Sequence, residues 1–241
     1  MKRPDRLTDG TKVYWPDLPL RTKISRVLEG IGELLLTGGV ILGLFVGYKA
    51  IWQDTVVADQ QTVLAQTYEE APSKFLSVKD VSKLGDVFGQ MYVPRFGDTW
   101  TRLIGEGTRW HPTLNEIGVG HYTGTAMPGE VGNFAVAAHR GGFGGAFKEI
   151  HTLREGDRVY VKTKDFWYVY KYLQTKVVQP DDIDVISEVP WGLAAAEFGG
   201  SYMTMTSCTP IFVNTERIVV WLELENATSV TPAEMAIHGG N

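Results

Sequence analysis

A run of 15 consecutive uncharged residues near the N-terminus, from Leu34 to Tyr48, constrains the fold of this chain more than any other feature. As a helix the run would measure about 22 Å, and extending it to residues 31–52 gives about 33 Å, which is enough to cross a hydrocarbon core of about 30 Å. The extension requires the charged ends of Glu33 and Lys49 to reach the two membrane interfaces. Residues 31–52 are therefore predicted to form a single transmembrane signal anchor.

The segment before this run is basic, with seven Lys and Arg against four acidic residues in residues 1–30. A positive flank normally stays in the cytoplasm, so residues 1–30 are predicted to be cytoplasmic and the C-terminal part to lie outside the cell membrane. A buried core helix and a cleaved signal peptide are the alternatives. The apolar run is long for a signal peptide, and only Val63-Leu64-Ala65 vaguely resembles a cleavage site.

The remainder of the chain is acidic and contains a single cysteine. Because residues 1–30 carry +3 and the whole chain carries −5, the remainder carries −8. Such a surface repels phosphates, so nucleic acid is excluded as a partner. One cysteine, Cys208, cannot form a disulfide within the chain or a multi-cysteine metal site, and no HExxH spacing occurs. No metal and no other cofactor is predicted.

The pattern changes twice along the rest of the chain. Residues 53–84 are predicted to form a helical stalk or linker whose helix ends near Ala71-Pro72, because proline cannot continue a helix. From Met91 onward, short β-rich runs are separated by Gly and Pro, and several such strands favour a closed β-barrel or a sandwich. Residues 227–241 are predicted to be a polar tail. The predicted strands are MYVPRF, TRLI, NFAVAAH, RVYVKT, FWYVYKYLQTKVV, YMTMTSC and RIVVWLELE.

Three residues with chemically active side chains stand at the ends of predicted strands. Cys208 ends YMTMTSC, and Pro210 should stop that strand and leave the thiol at a sheet edge. His139 ends NFAVAAH, ahead of a glycine-rich turn at residues 141–145. Arg217 opens RIVVWLELE, so its guanidinium can meet the thiol if the two strands are neighbours. One Cys, one His and one Arg at strand ends are typical of nucleophilic catalysis.

Each of these residue types has a distinct chemical use. At pH 7 an ordinary thiol is only about 3% thiolate, and nearby positive charge raises that fraction. A protonated imidazole can give its proton to a leaving amine, and a guanidinium can stabilise an oxyanion together with backbone N–H groups. From position alone, however, a single Cys on an apolar strand is more often an inert core thiol, and His139 alone allows a similarly structural interpretation.

Several segments of this chain resemble the sortase family. Thr-Met-Thr-Ser-Cys at residues 204–208 resembles the sortase signature T-L-x-T-C, and residues 208–217 fit the arrangement C-x-P-x-F-x-x-x-x-R. Residues 120–140 resemble the segment before the sortase histidine, and residues 91–97 resemble the first barrel strand. The resemblance extends over residues 85–224 and fits the housekeeping class E group, through GHY and GTA in the histidine segment.

The resemblance implies a mainly β fold, the eight-stranded sortase-type β-barrel with short helices, over residues 85–226, preceded by a single N-terminal transmembrane helix. It also implies a cysteine transpeptidase. Cys208 would attack the Thr–Gly carbonyl of an LAxTG or LPxTG sorting signal at the C-terminus of a cargo protein. His139 would be the general acid and base, and Arg217 would hold the substrate and stabilise the oxyanion. An amine of a peptidoglycan precursor, lipid II, would then resolve the thioester.

Tyr122, Thr206 and Ser207 are the predicted substrate-binding residues. Tyr122 is the candidate for setting the second position of the signal, Ala over Pro. Ser207 stands where the family has Thr beside the nucleophile, so the hydroxyl is kept and a methyl group is lost. Met205 replaces the common Leu, a substitution that conserves side-chain volume.

Three other functions compete with this interpretation. An L,D-transpeptidase is disfavoured because its His-Gly-Cys motif is absent, since Ser207 precedes Cys208. A cysteine peptidase that only hydrolyses its substrate stays open, because water and an amine attack the same thioester. The third is not an enzyme: a membrane-tethered extracytoplasmic β-barrel that binds cell-wall material, with Cys208 buried and non-catalytic.

Overall fold

A long helix precedes all the β-strands of this chain. The computed structural model describes residues 20–71, 74–190 and 198–229. Helix α1 extends over Leu20–Glu70, and its end agrees with the predicted stop near Ala71-Pro72. The chain divides into two compact units, one up to Lys49 and the other from Ala50 onward.

The first unit carries the apolar segment. Among the described residues, one helical segment is long and apolar enough to cross a membrane, Ile24–Tyr48, with a mean hydropathy of 1.8 and none of its apolar window buried. This segment overlaps the predicted anchor at residues 31–52. Residues 1–19 of the predicted basic segment lie outside the described residues, so the orientation stays a prediction.

Eight strands form a closed barrel in the second unit. Their order around the barrel is β1-β2-β3-β4-β7-β8-β6-β5, and β5 pairs with β1 to complete the circle. Neighbouring strands are antiparallel except β2–β3 and β4–β7, which are parallel. This confirms the predicted fold class. The strands are β1 (Val87–Tyr92), β2 (Thr101–Glu106), β3 (Gly118–His121), β4 (Gly132–Ala138), β5 (Arg158–Thr163), β6 (Phe166–Val178), β7 (Ser201–Thr209) and β8 (Glu216–Ser229).

Side-chain alternation gives the barrel an apolar interior and a chemically mixed outer face. On β7, Met203 and Met205 are fully buried in the main core, which also contains Phe134 and Val136 from β4. Because successive side chains of a strand point to opposite faces, Thr206 and the residues two positions away on either side face outward. Cys208, two residues after Thr206, therefore faces the outside of the barrel at the end of β7.

The strands differ most from the predicted ones at three places. MYVPRF was expected to be a strand throughout, but β1 ends at Tyr92 and Pro94–Phe96 forms a 3₁₀ turn, since proline cannot donate to a ladder. Strand β3, GVGH, contains two glycines and no clear alternation, which is why it was not among the predicted runs. Strand β8 continues to Ser229, and residues 230–241 of the predicted tail lie outside the described residues.

Of two predicted short elements, the hairpin between β5 and β6 is present and the short helix after β4 is not. The predicted hairpin at Lys164-Asp165 is present, with Lys162 of β5 paired to Trp167 of β6. AFKEIHTL was expected to be a short helix, but only a 3₁₀ turn at Ile150–Thr152 forms there. Three short helices are also present, at Pro94–Phe96, Trp110–Leu114 and Ile183–Ile186.

The part of α1 that belongs to the second unit packs on the barrel. Ala65 is fully buried in a small apolar cluster with Phe75, Leu103 and Ile117. Arg102 of β2 is 6% exposed, and its Nη1 donates to Thr62 Oγ1 across 3.1 Å. The segment predicted to be a stalk is thus helical up to Glu70. Thr62 and Ala65 of this helical part contact the barrel.

Candidate active site

The predicted nucleophile and the predicted cation are direct neighbours on adjacent strands. Cys208 of β7 and Arg217 of β8 are opposite each other in the antiparallel ladder. Side chains at such positions share a face, with Cβ atoms about 4.5–5.5 Å apart. The thiol is free and half-buried. Strand β7 ends at Thr209, directly before Pro210, as the sequence predicts.

Strands β4 and β7 run side by side up to the position of the nucleophile. Ala137 pairs with Thr206 in their parallel ladder. One residue further along each strand, Ser207 Oγ donates to the carbonyl oxygen of Ala138 across 2.7 Å. Strands β4 and β7 are therefore still in contact at the residues immediately before His139 and Cys208.

The contact continues on the far side of these two residues. Arg140 Nη1 donates a hydrogen bond to Thr209 Oγ1. The two segments therefore contact each other one residue before and one residue after His139 and Cys208, in the same register. This register brings the backbone of His139 beside that of Cys208, although the two residues are 69 positions apart in the sequence.

A side-chain amide fixes the tautomer of His139. The Nε2 of His139 is 2.9 Å from Asn115 Oδ1. Because a carbonyl oxygen only accepts, Nε2 carries the proton and Nδ1 keeps its lone pair. Among the described residues, Nδ1 has no hydrogen-bond partner. Nδ1 is thus the imidazole nitrogen that can accept a proton.

Two aromatic rings surround the imidazole of His139. The ring of Trp110 meets it edge-on with centroids 6.1 Å apart, and the ring of Phe143 lies 5.5 Å away. Burial in this setting lowers the pKa of His139 from its ordinary value of 6.5, and the carboxylate of Asp54 opposes the shift. The neutral imidazole is therefore favoured near neutral pH, the form that can act as a base.

The guanidinium of Arg217 is fixed at one end only. Its Nη1 donates to the carbonyl oxygens of Asn214, across 3.1 Å, and Glu216, across 2.9 Å. Among the described residues, its Nη2 and Nε have no hydrogen-bond partner. The side chain thus keeps donors for an anion that develops beside Cys208.

Two of the three predicted substrate-binding residues meet on the outer face, and the third does not. The hydroxyl of Tyr122 is 3.0 Å from Thr206 Oγ1, two residues before Cys208. Ser207 has the alternate direction on β7, is 4% exposed and bonds to the backbone of β4. Thr206 Oγ1 likewise donates to a carbonyl oxygen of β4, that of Val136, across 3.4 Å, so both hydroxyl groups join β7 to β4.

Four residues around His139 were not identified from the sequence. Asn115, Trp110, Phe143 and Asp54 come from three separate segments, none with a strand-end pattern. A weak signal was available for one of them, since Phe143 interrupts the glycine run at residues 141–145. Phe143 has a positive φ of 50°, which is uncommon for a residue with a side chain and directs its ring to the histidine.

The described residues contain no group of three or more His, Cys, Asp or Glu that could hold a metal ion. The acid–base and electrostatic functions of this site are available from the side chains already named. Imidazole, thiol and guanidinium at three strand ends can perform acyl transfer through a thioester.

Comparison with known proteins places this geometry in a family. A family model described as a sortase domain matches residues 91–225. Sortase SrtE2 of Streptomyces coelicolor is 33% identical over 231 residues, which cover 86% of this chain and 85% of the relative. Sortase SrtE1 of the same organism is 32% identical over 199 residues, covering 80% of this chain and 56% of the relative.

Solved structures agree with the sequence comparisons. Sortase E from Streptomyces avermitilis is 37% identical and has a TM-score of 0.56, covering 62% of this chain and 94% of that one. Sortase E1 from Streptomyces coelicolor, solved with a tripeptide in its active site, is 32% identical and also has a TM-score of 0.56, covering 59% of this chain and 90% of that one. The chain therefore belongs to the sortase family of cysteine transpeptidases, in class E.

Proposed function

We propose that this sortase cleaves the Thr–Gly bond of an LAxTG or LPxTG sorting signal and joins the cargo protein to an amine of a cell-wall precursor, lipid II. One observation carries the proposal. Cys208 pairs with Arg217 across β7 and β8, and contacts between the ends of β4 and β7 lie on either side of His139 and Cys208. Membership in an enzyme family disfavours the alternative of a binding module with an inert thiol.

In the proposed acylation step, His139 Nδ1 takes the proton of the Cys208 thiol. The thiolate then attacks the carbonyl carbon of the threonine in the signal, forming a C–S bond and a tetrahedral oxyanion. Arg217 donates to that oxygen with the nitrogens that the backbone does not hold. As the C–N bond to glycine breaks, protonated His139 gives its proton to the leaving amine.

The second half of the proposed reaction reverses these roles. The thioester is attacked by the incoming amine, which loses its proton to the neutral imidazole. The second oxyanion collapses, the C–S bond breaks, and the sulfur recovers a proton from His139. Asn115 keeps Nε2 protonated throughout, so the same nitrogen, Nδ1, moves the proton in both halves.

The proposed substrate groove runs along the outer face of β7. Tyr122 and Thr206 contact each other there, two residues before the nucleophile. We take residues 183–188 after β6 as one wall of this groove, because Asn133 Nδ2 donates to Ser187 O across 2.9 Å and Thr204 Oγ1 donates to Asn133 Oδ1 across 2.8 Å. We propose that the residues of the signal before its threonine bind between this wall and Tyr122.

The proposed setting is the cell membrane, with one pass, a cytoplasmic N-terminus and an extracytoplasmic catalytic domain. The apolar segment Ile24–Tyr48 supports a single anchor. The basic residues before it support this orientation by the positive-inside rule. A protein held in this way would meet both its cargo and a lipid-borne amine at the membrane surface.

Incubation with fluorescent LAxTG and LPxTG peptides, with and without an amine such as triglycine, tests the proposal. We expect cleavage after threonine, a Cys208 thioester detectable by mass, and a ligated product when amine is present. Cys208→Ala should fold normally and form neither product. Cleavage that stays hydrolytic at high amine concentration would instead identify a peptidase.

Thiol labelling provides a second test that needs no peptide. Cys208 should alkylate readily in the folded protein, and His139→Ala should change the rate. A thiol that stays unreactive until the protein unfolds would contradict the proposed function.

A further inference from the structure

A buried glutamine of α1 lies behind the histidine of the site. Gln61 is 1% exposed, although it belongs to a helix and carries a polar side chain. Its Nε2 donates to the carbonyl oxygen of Asn115 across 3.3 Å and to that of Phe143 across 3.4 Å. The two acceptors belong to different loops, one before β3 and one after β4. One amide group of the helix therefore bonds to the backbone of both loops.

These two loops supply the side chains that touch His139. Asn115 Oδ1 accepts a hydrogen bond from Nε2–H, and the ring of Phe143 lies against the imidazole with centroids 5.5 Å apart. Gln61 does not contact His139 itself. It holds the backbone of Asn115 and Phe143, two of the three residues that contact the imidazole, so a change at this amide would affect both of them together.

The same part of α1 makes further contacts with the loop after β4. Asp54 Oδ2 accepts a hydrogen bond from the backbone N–H of Gly142 across 3.3 Å. Gly144 lies so close to the helix that a Cβ atom there would be 3.1 Å from the backbone nitrogen of Ala58. The loop that carries Phe143 is thus fixed to α1 on both sides of the phenylalanine.

Packing alone does not explain a glutamine at this position. Gln61 Oε1 is buried and, among the described residues, has no hydrogen-bond partner, a state that costs free energy. A methionine or leucine would fill a similar volume without that cost. What only an amide supplies here is the pair of hydrogen bonds to Asn115 and Phe143.

We infer that Gln61 is a positioning residue for His139, so this one side chain of α1 serves the active site. The inference rests on the proposed function, in which His139 is the general acid and base. Its effect is geometric, because the amide holds Asn115 and Phe143 where they keep Nδ1 directed at the thiol of Cys208.

The test replaces the amide by an apolar side chain in the full-length chain, held in detergent micelles. Gln61→Leu and Gln61→Met remove the donor and keep the volume. Gln60→Leu is the matched control, an exposed glutamine one position away on the same helix. Thr62→Val is the structural control, because it removes the contact between α1 and Arg102 without touching either loop.

We expect both Gln61 variants to fold and to lose about 10-fold or more in kcat, with KM for the sorting peptide changed less than about 2-fold, as misplacement of a catalytic group does. In protein labelled with ¹⁵N-histidine, the wild-type His139 should show one protonated nitrogen, Nε2, and one unprotonated nitrogen, Nδ1. In the Gln61 variants the NMR signals of these two nitrogens should move toward each other as the tautomers mix. Both controls should keep the wild-type kcat and the wild-type His139 signals.

Two outcomes would overturn the inference. One is a folded Gln61→Met with wild-type kcat and wild-type His139 signals. The other is loss of folding in both Gln61 variants while Thr62→Val stays folded, because Gln61 would then be a structural residue. If the wild-type protein turns over no sorting peptide, the proposed function fails, and the nitrogen signals of His139 still decide the role of Gln61.

Discussion

Asn115 Oδ1 and His139 Nε2 are 2.9 Å apart, and this contact decides which nitrogen of the imidazole carries the proton. The amide nitrogen of the same side chain is 3.2 Å from His111 Nε2, and His111 Nδ1 is 2.9 Å from Glu116 Oε1. The orientation of the Asn115 amide is therefore set from its other end. Nδ2 donates to His111, so Oδ1 is the atom left to accept from His139.

Replacing Asn115 should impair catalysis through the histidine. In Asn115→Ala the imidazole can rotate and change tautomer, so we expect kcat to fall by about 10- to 100-fold with little change in KM.

Asn115→Asp keeps an acceptor and adds a negative charge that raises the pKa of His139, so the acid limb of the pH–rate profile should move to higher pH. Steady-state kinetics with a sorting peptide between pH 5 and 9 measures both effects. A wild-type profile in Asn115→Asp would contradict the contact.

Arg217→Lys should leave the protein folded and severely impaired. A lysine keeps the charge but provides a point donor, whereas the guanidinium bonds two carbonyls through Nη1 and still has donors for an oxyanion. Loss of an oxyanion donor typically costs about 10²–10³ in kcat. Arg158→Lys is a matched control, because Arg158 forms an exposed ion pair with Glu225 elsewhere on the barrel. Equal activity of the two variants would argue against a role for Arg217.

Much of the barrel was predictable from this sequence because several of its strands have a clear local sequence pattern. RVYVKT and FWYVYKYLQTKVV alternate, and Lys164-Asp165 separates them, so β5, β6 and their hairpin follow from short-range rules. Strand β3 was not recognised for the opposite reason. Its two glycines show no alternation, and what makes it a strand is its pairing with β2 and β4. The number of strands accordingly came from the family resemblance.

The site was predictable only in part for a similar reason. Cys208, His139 and Arg217 end or open strands with clear patterns, so their positions could be inferred. Asn115 reaches His139 from a short helical turn, and Gln61 reaches the same place from α1. The packing of α1 on the barrel determines both positions, and periodicity within one segment does not report such packing.

Asp54 should set the pH at which His139 becomes protonated. Burial lowers the pKa of His139, and the carboxylate of Asp54 raises it by favouring the imidazolium. Asp54→Asn removes the charge, so the pKa of His139 should fall further and the acid limb of kcat/KM should move to lower pH. Asp59→Asn is the control, because Asp59 is exposed on the same helix and interacts with Arg102. Titration of the His139 ring signals measures the shift directly, and a shift to higher pH would have the wrong sign.

Tyr122 should influence which residue is accepted at the second position of the sorting signal. Its hydroxyl contacts Thr206 on the outer face, two residues before the nucleophile, so a peptide bound along β7 would pass beside it. In Tyr122→Phe we expect the ratio of kcat/KM for LAxTG over LPxTG to change by up to about 10-fold, the effect of one hydrogen bond. Thr206→Val breaks the same contact from the other side and keeps the phenol. If Thr206→Val changes the ratio as much as Tyr122→Phe, the contact between the two side chains sets the preference, and if only Tyr122→Phe changes it, the hydroxyl acts on the peptide itself. An unchanged ratio in both variants would remove Tyr122 from the specificity site.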